Sequence, residues 1–140
     1  GIQGTTGAST QGIQGIQGIT GQLATVSINY VIDGGGSAIT VGQKGCIEVP
    51  FGCTLNQWTI LLEPSGSISL QIWKDTYANY PPTVADDINA SPYAVTTATK
   101  NQGTLFTVSS TVTAGDILCY NVVSAATSTR ATVALRATKT

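Results

Sequence analysis

The clearest structural signal in the chain is the segment SISLQIW, residues Ser67–Trp73. Its second, fourth and sixth residues are isoleucine, leucine and isoleucine, and the residues between them are serine and glutamine. Because successive side chains of a β-strand point to opposite faces, this period of two predicts a strand with one apolar and one polar face. The preceding residues EPSG, positions 63–66, predict a break between this strand and the one before it.

The same alternation recurs from residue 27 to the C-terminus, with turn residues such as DGGG (33–36) and AGD (114–116) between the segments. Thr/Val-rich segments at 93–98 and 104–108 add further strands, whereas residues 74–93 hold Pro81, Pro82 and Pro92 and are predicted to form a loop. Seven or eight short strands without any helical period predict an all-β fold, an antiparallel β-sandwich of jelly-roll-like type. The predicted core consists of Ile28, Tyr30, Ile32, Ile47, Val49, Phe51, Trp58, Ile60, Leu62, Ile68, Leu70, Ile72, Leu118, Tyr120, Val122, Val133 and Leu135.

The first 22 residues follow a different rule, because glycine recurs there at every third position apart from an interruption between Gly7 and Gly12. The collagen triple helix requires this spacing, since only glycine fits at its crowded axis. The triplets therefore predict a collagen-like, triple-helical stem and a homotrimer; the alternative is a flexible glycine-rich linker. The glycines assigned to the triple helix are Gly1, Gly4, Gly7, Gly12, Gly15, Gly18 and Gly21.

The predicted division of the chain is a stem at residues 1–22, a short connector at 23–26 and a trimeric β-sandwich head at 27–140. The triplets contain no proline to preorganise the backbone, so the head is expected to hold the three chains in register. Since a repeat begins at Gly1 and the chain has no methionine, we expect the stem to continue upstream.

The composition of the 140 residues restricts the function. Charged residues make up 9% of the chain, the net charge is −1, and the six Lys and Arg residues do not cluster, which argues against a nucleic-acid partner. No apolar run is long enough for membrane insertion. Histidine, the commonest general base, is absent. The polar but neutral outer strand faces suit burial in a homotrimer or a virion-like assembly.

The three cysteines, Cys46, Cys53 and Cys119, are an odd number without metal-binding spacing. At least one of them must be free or bonded to another chain. The favoured interpretation is that they are small apolar residues of a chain assembled in a reducing cytoplasm.

Three segments resemble recurrent parts of the fibre proteins of bacteriophages and prophages, in which a Gly-X-Y stem precedes a β-rich C-terminal head. They are YVIDGGG (30–36), IWKDTYANYPPT (72–83) and AGDIL (114–118). The architecture is also similar to the collagen-stalked trimeric jelly rolls of the complement and tumour-necrosis-factor group, whose sequence signals are absent. The phage resemblance implies a structural fibre on the tail or head of a virion, assembled in the host cytoplasm. It also implies attachment to other virion proteins through the upstream stem and contact between the fibre tip and the host surface.

The candidate ligand site follows the strand at 67–73. Aromatic rings beside a loop are typical of glycan binding, because pyranose C–H groups stack on ring faces while carboxylates and amides bind the hydroxyls. A carbohydrate-binding adhesin module is therefore the alternative function. The candidate residues are Trp73, Asp75, Tyr77, Asn79 and Tyr80. The other interpretation of Trp73 is packing under the loop or against a neighbouring subunit.

Other candidate sites are weaker. Asp86 and Asp87 are adjacent carboxylates, but the loop lacks the spaced oxygen ligands of a calcium site and they are interpreted as turn residues. No nucleophile–base pair can be assembled without histidine, and a carboxylate pair formed by Asp75 with Asp86 or Asp87 has no support from spacing. We therefore expect no enzyme activity, no cofactor and no metal.

Overall fold

The structure is a computed structural model that describes residues 23–140. The predicted stem, residues 1–22 with its seven glycines, lies outside the described residues. The described part contains seven strands and two short 3-10 helices, Tyr77–Asn79 and Val84–Asp86. The strands are β1 (Thr25–Asp33), β2 (Gly42–Val49), β3 (Cys53–Asp75), β4 (Tyr93–Gly103), β5 (Thr111–Val112), β6 (Asp116–Ala126) and β7 (Arg130–Lys139).

All strand pairs are antiparallel and belong to one sheet that curls into two facing layers, because β3 and β4 run through both. Residues 53–63 of β3 pair with β7, which pairs with β1, and we call this the β1–β7 layer. Residues 67–75 of β3 pair with β6, which pairs with β2, and we call this the β2–β6 layer. The prediction of an all-β antiparallel fold is confirmed.

The core lies between the two layers. Tyr30 of β1 stacks on Tyr120 of β6 with ring centroids 4.5 Å apart, and Trp58 of β3 packs on Tyr93 of β4 at 5.2 Å. Of the 17 residues predicted for the core, none is exposed; four are partly buried and pack against it. Those four are Tyr30, Ile47, Phe51 and Trp58. The period-two assignment of the core is confirmed.

Two strand predictions were wrong. The EPSG segment does not end a strand but bends β3, because the turn between β6 and β7 packs against it: Thr129 N–H donates to Glu63 O at 2.8 Å, and Ser128 Oγ donates to Pro64 O at 2.9 Å. Residues 104–108 form no strand. Their backbone is held by the 88–89 segment instead, with Val108 N–H donating to the carbonyl of Ile88 at 3.1 Å.

The oxidation state of two of the three cysteines differs from the one expected from the sequence. Cys46 and Cys119 face each other on β2 and β6 with Cα atoms 4.0 Å apart and form a disulfide, so their interpretation as reduced apolar residues was wrong. Cys53 is a buried free thiol, as that interpretation proposed, and burial raises its pKa. The odd count therefore reflects one intrachain bridge and one thiol enclosed in the core.

Candidate functional site

The outer face of the β2–β6 layer carries an ordered array of side chains. The registers of β2, β6 and β3 place these residues in three rows that cross the strands. The rows are Gln43–Asn121–Gln71, Cys46–Cys119–Trp73 and Glu48–Ile117–Asp75. One row is made of amides, one of the disulfide and an indole, and one of two carboxylates on either side of an isoleucine.

Trp73 is tied into this face. Its Nε1–H donates to Oε1 of Gln71 at 3.2 Å, and the same oxygen accepts from Nδ2 of Asn121 at 3.0 Å. Its backbone forms an isolated bridge with Asp87, so the 84–88 segment lies beside the end of β3. Trp73 is consequently half-buried, in the position that packing under the loop predicts.

Asp75 and Asn79 shape the loop that follows β3. Oδ1 of Asp75 accepts from the backbone N–H of Thr76 at 2.7 Å and from Nδ2 of Asn79 at 3.2 Å. The 3-10 turn closes with the N–H of Tyr80 donating to the carbonyl of Tyr77 at 3.2 Å. Both predicted polar residues therefore hold the two tyrosines in place.

Tyr77 and Tyr80 are the open part of the predicted site, with 77% and 53% of their surface exposed. They line a surface cleft of about 340 Å³. The lining residues are Cys46, Ile47, Glu48, Tyr77, Tyr80 and Ile117. The cleft thus combines two aromatic side chains, an apolar floor at Ile117 and the Glu48 carboxylate, an acceptor for hydroxyl groups.

Sequence reasoning missed Glu48 and Ile117. Glu48 pairs with Ile117, and Ile117 pairs with Asp75, so only strand pairing brings them next to the tyrosine loop. In the sequence, Glu48 stands between the predicted core residues Ile47 and Val49, on the polar face of a predicted strand. This position was the one sequence feature that pointed to it.

The remaining carboxylates of the loop are engaged in local structure. Oδ2 of Asp86 accepts from the N–H of Thr83 at 2.8 Å in a capping box, and Oδ1 of Asp87 accepts from the N–H of Asn89 at 3.2 Å. Burial raises the pKa of the Asp87 carboxyl, while backbone N–H groups act to lower it. Among residues 23–140, no three His, Cys, Asp or Glu side chains are grouped to bind a metal ion. No helix of that part of the chain is long and apolar enough to cross a membrane.

No protein-family model matches the chain, and no curated protein matches it either. Among solved structures, it is similar to a CBM4 structure at 16% identity and a TM-score of 0.35, with 81% of each chain covered. It is also similar to a cyanophage Pam1 capsid chain (16% identity, TM-score 0.32, 84% of this chain and 85% of that one). A third similarity is to an infectious bursal disease virus Gx strain chain (15% identity, TM-score 0.32, 84% and 32%). Identities and TM-scores this low assign no family, and no function is transferred from them.

Proposed function

We propose that this chain is the distal part of a virion fibre protein, on the tail or the head of a phage particle. Its jelly-roll-like head forms a homotrimer and caps a collagen-like stem, through which the fibre attaches to other virion proteins. The observation that carries the proposal is the position of the fold relative to the repeat. β1 begins at Thr25, only four residues after the last triplet glycine, Gly21.

The geometry of the head is consistent with this role. β1, β7 and β3 form one continuous layer, so the strand that leaves the stem is paired along its whole length with the β7 strand, from Thr25 opposite Thr138 to Asp33 opposite Arg130. A head that folds as one unit can register three chains that the proline-free triplets alone cannot hold.

The trimer is the first testable prediction. We expect light scattering of the full chain at micromolar concentration to give the mass of three chains, and antibodies against the head to label fibres on intact particles in electron micrographs. A monomer mass contradicts the proposal. Antibody labelling that is confined to parts of the particle without fibres contradicts the assignment to a fibre.

The second candidate function, glycan recognition by the head, is favoured by the cleft beside Tyr77 and Tyr80. A pyranose whose C–H face stacks on a tyrosine ring would place its hydroxyls near the Glu48 carboxylate. Three such clefts in one trimer would bind a repetitive surface polysaccharide by avidity, so each single contact could be weak. We propose a role in binding without catalysis, in which Asp75, Asp86 and Asp87 support the turns around the cleft through their hydrogen bonds and Glu48 contacts the ligand. It needs no cofactor.

Tyr77→Ala and Tyr80→Ala are expected to weaken binding to an array of bacterial surface saccharides by at least about tenfold each, equivalent to about 1.4 kcal/mol. The physical reason is the loss of the ring faces. Tyr77→Phe keeps the ring and should retain most of the binding. Leu105→Ala, at another exposed loop residue, serves as the control and should change nothing. If both tyrosine-to-alanine variants melt at the wild-type temperature and bind saccharides as well as the wild type does, the glycan site is contradicted.

A further inference from the structure

The outer face of the β1–β7 layer lies away from the tyrosine cleft, which is lined by residues of β2 and β6. The registers place seven uncharged side chains at its centre, which we call the central patch. The central patch consists of Asn29 and Val31 on β1, Thr132 and Ala134 on β7, Thr59 and Leu61 on β3, and Gln102 on β4.

The central patch exposes apolar surface in the middle of a neutral face. Val31 and Leu61 are 51% and 46% exposed, and both lie opposite Thr132 on the strand between them. The charged groups lie around the patch. At one end Arg130 approaches Glu63 at 3.4 Å and Asp33 at 4.0 Å. A centre without charges and a charged rim are typical of protein–protein interfaces, because few groups must be desolvated at a cost.

A shallow hollow lies at one side of the patch. It has a volume of about 340 Å³ and is lined by Thr59, Leu61, Lys100, Asn101 and Gln102. Gln102 Nε2 donates to Thr59 Oγ1 at 3.0 Å, which holds one wall in place. Val31 lies across the layer on β1, on the far side of β7. One face therefore presents a protruding apolar side chain and a hollow at separate positions, as a ring of identical subunits requires.

The chain that precedes the head indicates what covers this face. The triplet pattern of residues 1–22 calls for three chains on one axis. Thr25 follows Gly21 by four positions, a span of at most about 14 Å. β1 therefore begins beside the axis. The inner face of β1 packs on the core of its own chain through Ile28 and Ile32. Its outer face and the edge that pairs with no strand of residues 23–140 are left for contacts with other chains. Antiparallel pairing of two β1 edges is a two-fold contact, which does not serve three parallel chains.

We propose that the central patch is the contact between three copies of this chain, in which Val31 of one copy packs into the hollow at Leu61 and Gln102 of the next. The contact closes a three-fold ring around the axis of the stem and leaves the tyrosine cleft, on the opposite layer, free. The inference rests on the proposed homotrimer and names the surface that forms it.

The test is sedimentation of the full chain at micromolar concentration, comparing Val31→Lys with Val123→Lys. Val123 is an equally apolar residue, 44% exposed on β6 in the other layer. We expect a trimer for the wild type and for Val123→Lys. We expect Val31→Lys, which brings a second ammonium into the hollow lined by Leu61 and Lys100, to be monomeric with an unchanged far-ultraviolet circular dichroism spectrum; Leu61→Lys should behave in the same way.

The outcomes separate this inference from the fibre proposal. A wild-type monomer overturns both. A wild-type trimer whose Val31→Lys and Leu61→Lys variants remain trimeric overturns the interface alone. If the variants do not fold, hydroxyl-radical footprinting of the wild type decides, because Val31 and Leu61 should be oxidised at least about fivefold less than Val123. Equal oxidation would mean that the trimer forms elsewhere or that another virion protein covers this face, and either result overturns the proposal.

Discussion

Replacing Gly66 by valine is expected to lower the free energy of unfolding by about 3 kcal/mol or more, the upper range for an overpacked buried site. Gly66 is buried at the bend of β3, where the turn between β6 and β7 approaches the backbone. A Cβ at this position would collide with Ser128 Oγ and the Ala126 carbonyl and would lie 2.8 Å from Ser128 N. These contacts are largely backbone, so they cannot yield without moving the β6–β7 hairpin.

The matched control is Ser65→Val, which introduces the same side chain one residue earlier at an exposed position. Its unfolding free energy should stay within about 0.5 kcal/mol of the wild type. Urea denaturation of both variants measures the difference. Equal stability of Gly66→Val and Ser65→Val would show that the turn between β6 and β7 does not pack against Gly66.

Reducing the Cys46–Cys119 disulfide is expected to destabilise the domain by about 2–4 kcal/mol, the usual contribution of a cross-link that closes a long loop. The two residues are 73 positions apart in the chain and lie opposite each other on neighbouring strands. β2 pairs only with β6 within the described residues, so the bridge secures a strand at the edge of its layer. Reduction should therefore loosen β2, and with it the Glu48 wall of the tyrosine cleft.

Urea denaturation with and without a reducing agent measures this effect. The Cys46→Ala/Cys119→Ala double variant is the control, because the reducing agent should not change its midpoint. A wild-type midpoint that is also insensitive to reduction would contradict the bridge. Cytoplasmic thiols are kept reduced. If the chain is a virion protein assembled in a host cytoplasm, as proposed, it should acquire the cross-link only after release, and mass spectrometry of the chain from purified particles can detect it.

The candidate site was only partly predictable. The aromatic loop was visible in the sequence because Tyr77 and Tyr80 follow a clear strand within a few residues. The roles of the other predicted residues were not visible in the sequence. Asp75 hydrogen-bonds to Asn79 and to the backbone of the turn, and Trp73 donates a hydrogen bond to Gln71. Hydrogen-bond partners of exposed polar residues depend on exact loop geometry, which composition does not specify.

The strands and the core were readable from the sequence because the alternation of side chains along a strand is a local property. Ile68, Leu70 and Ile72 must share a face wherever the strand lies, and the structure buries all three. The glycine triplets carry the same kind of local information, and their prediction of three chains on one axis stays a prediction.

Tertiary structure alone decided which strands became neighbours. Whether EPSG ends a strand or bends it depends on the hairpin that packs against Pro64 from more than 60 residues away. The pairing of Cys46 with Cys119 and of Glu48 with Ile117 depends in the same way on β2 lying beside β6. Such pairings are set by the closure of long loops and the packing of two layers at once, and no short window of sequence contains them.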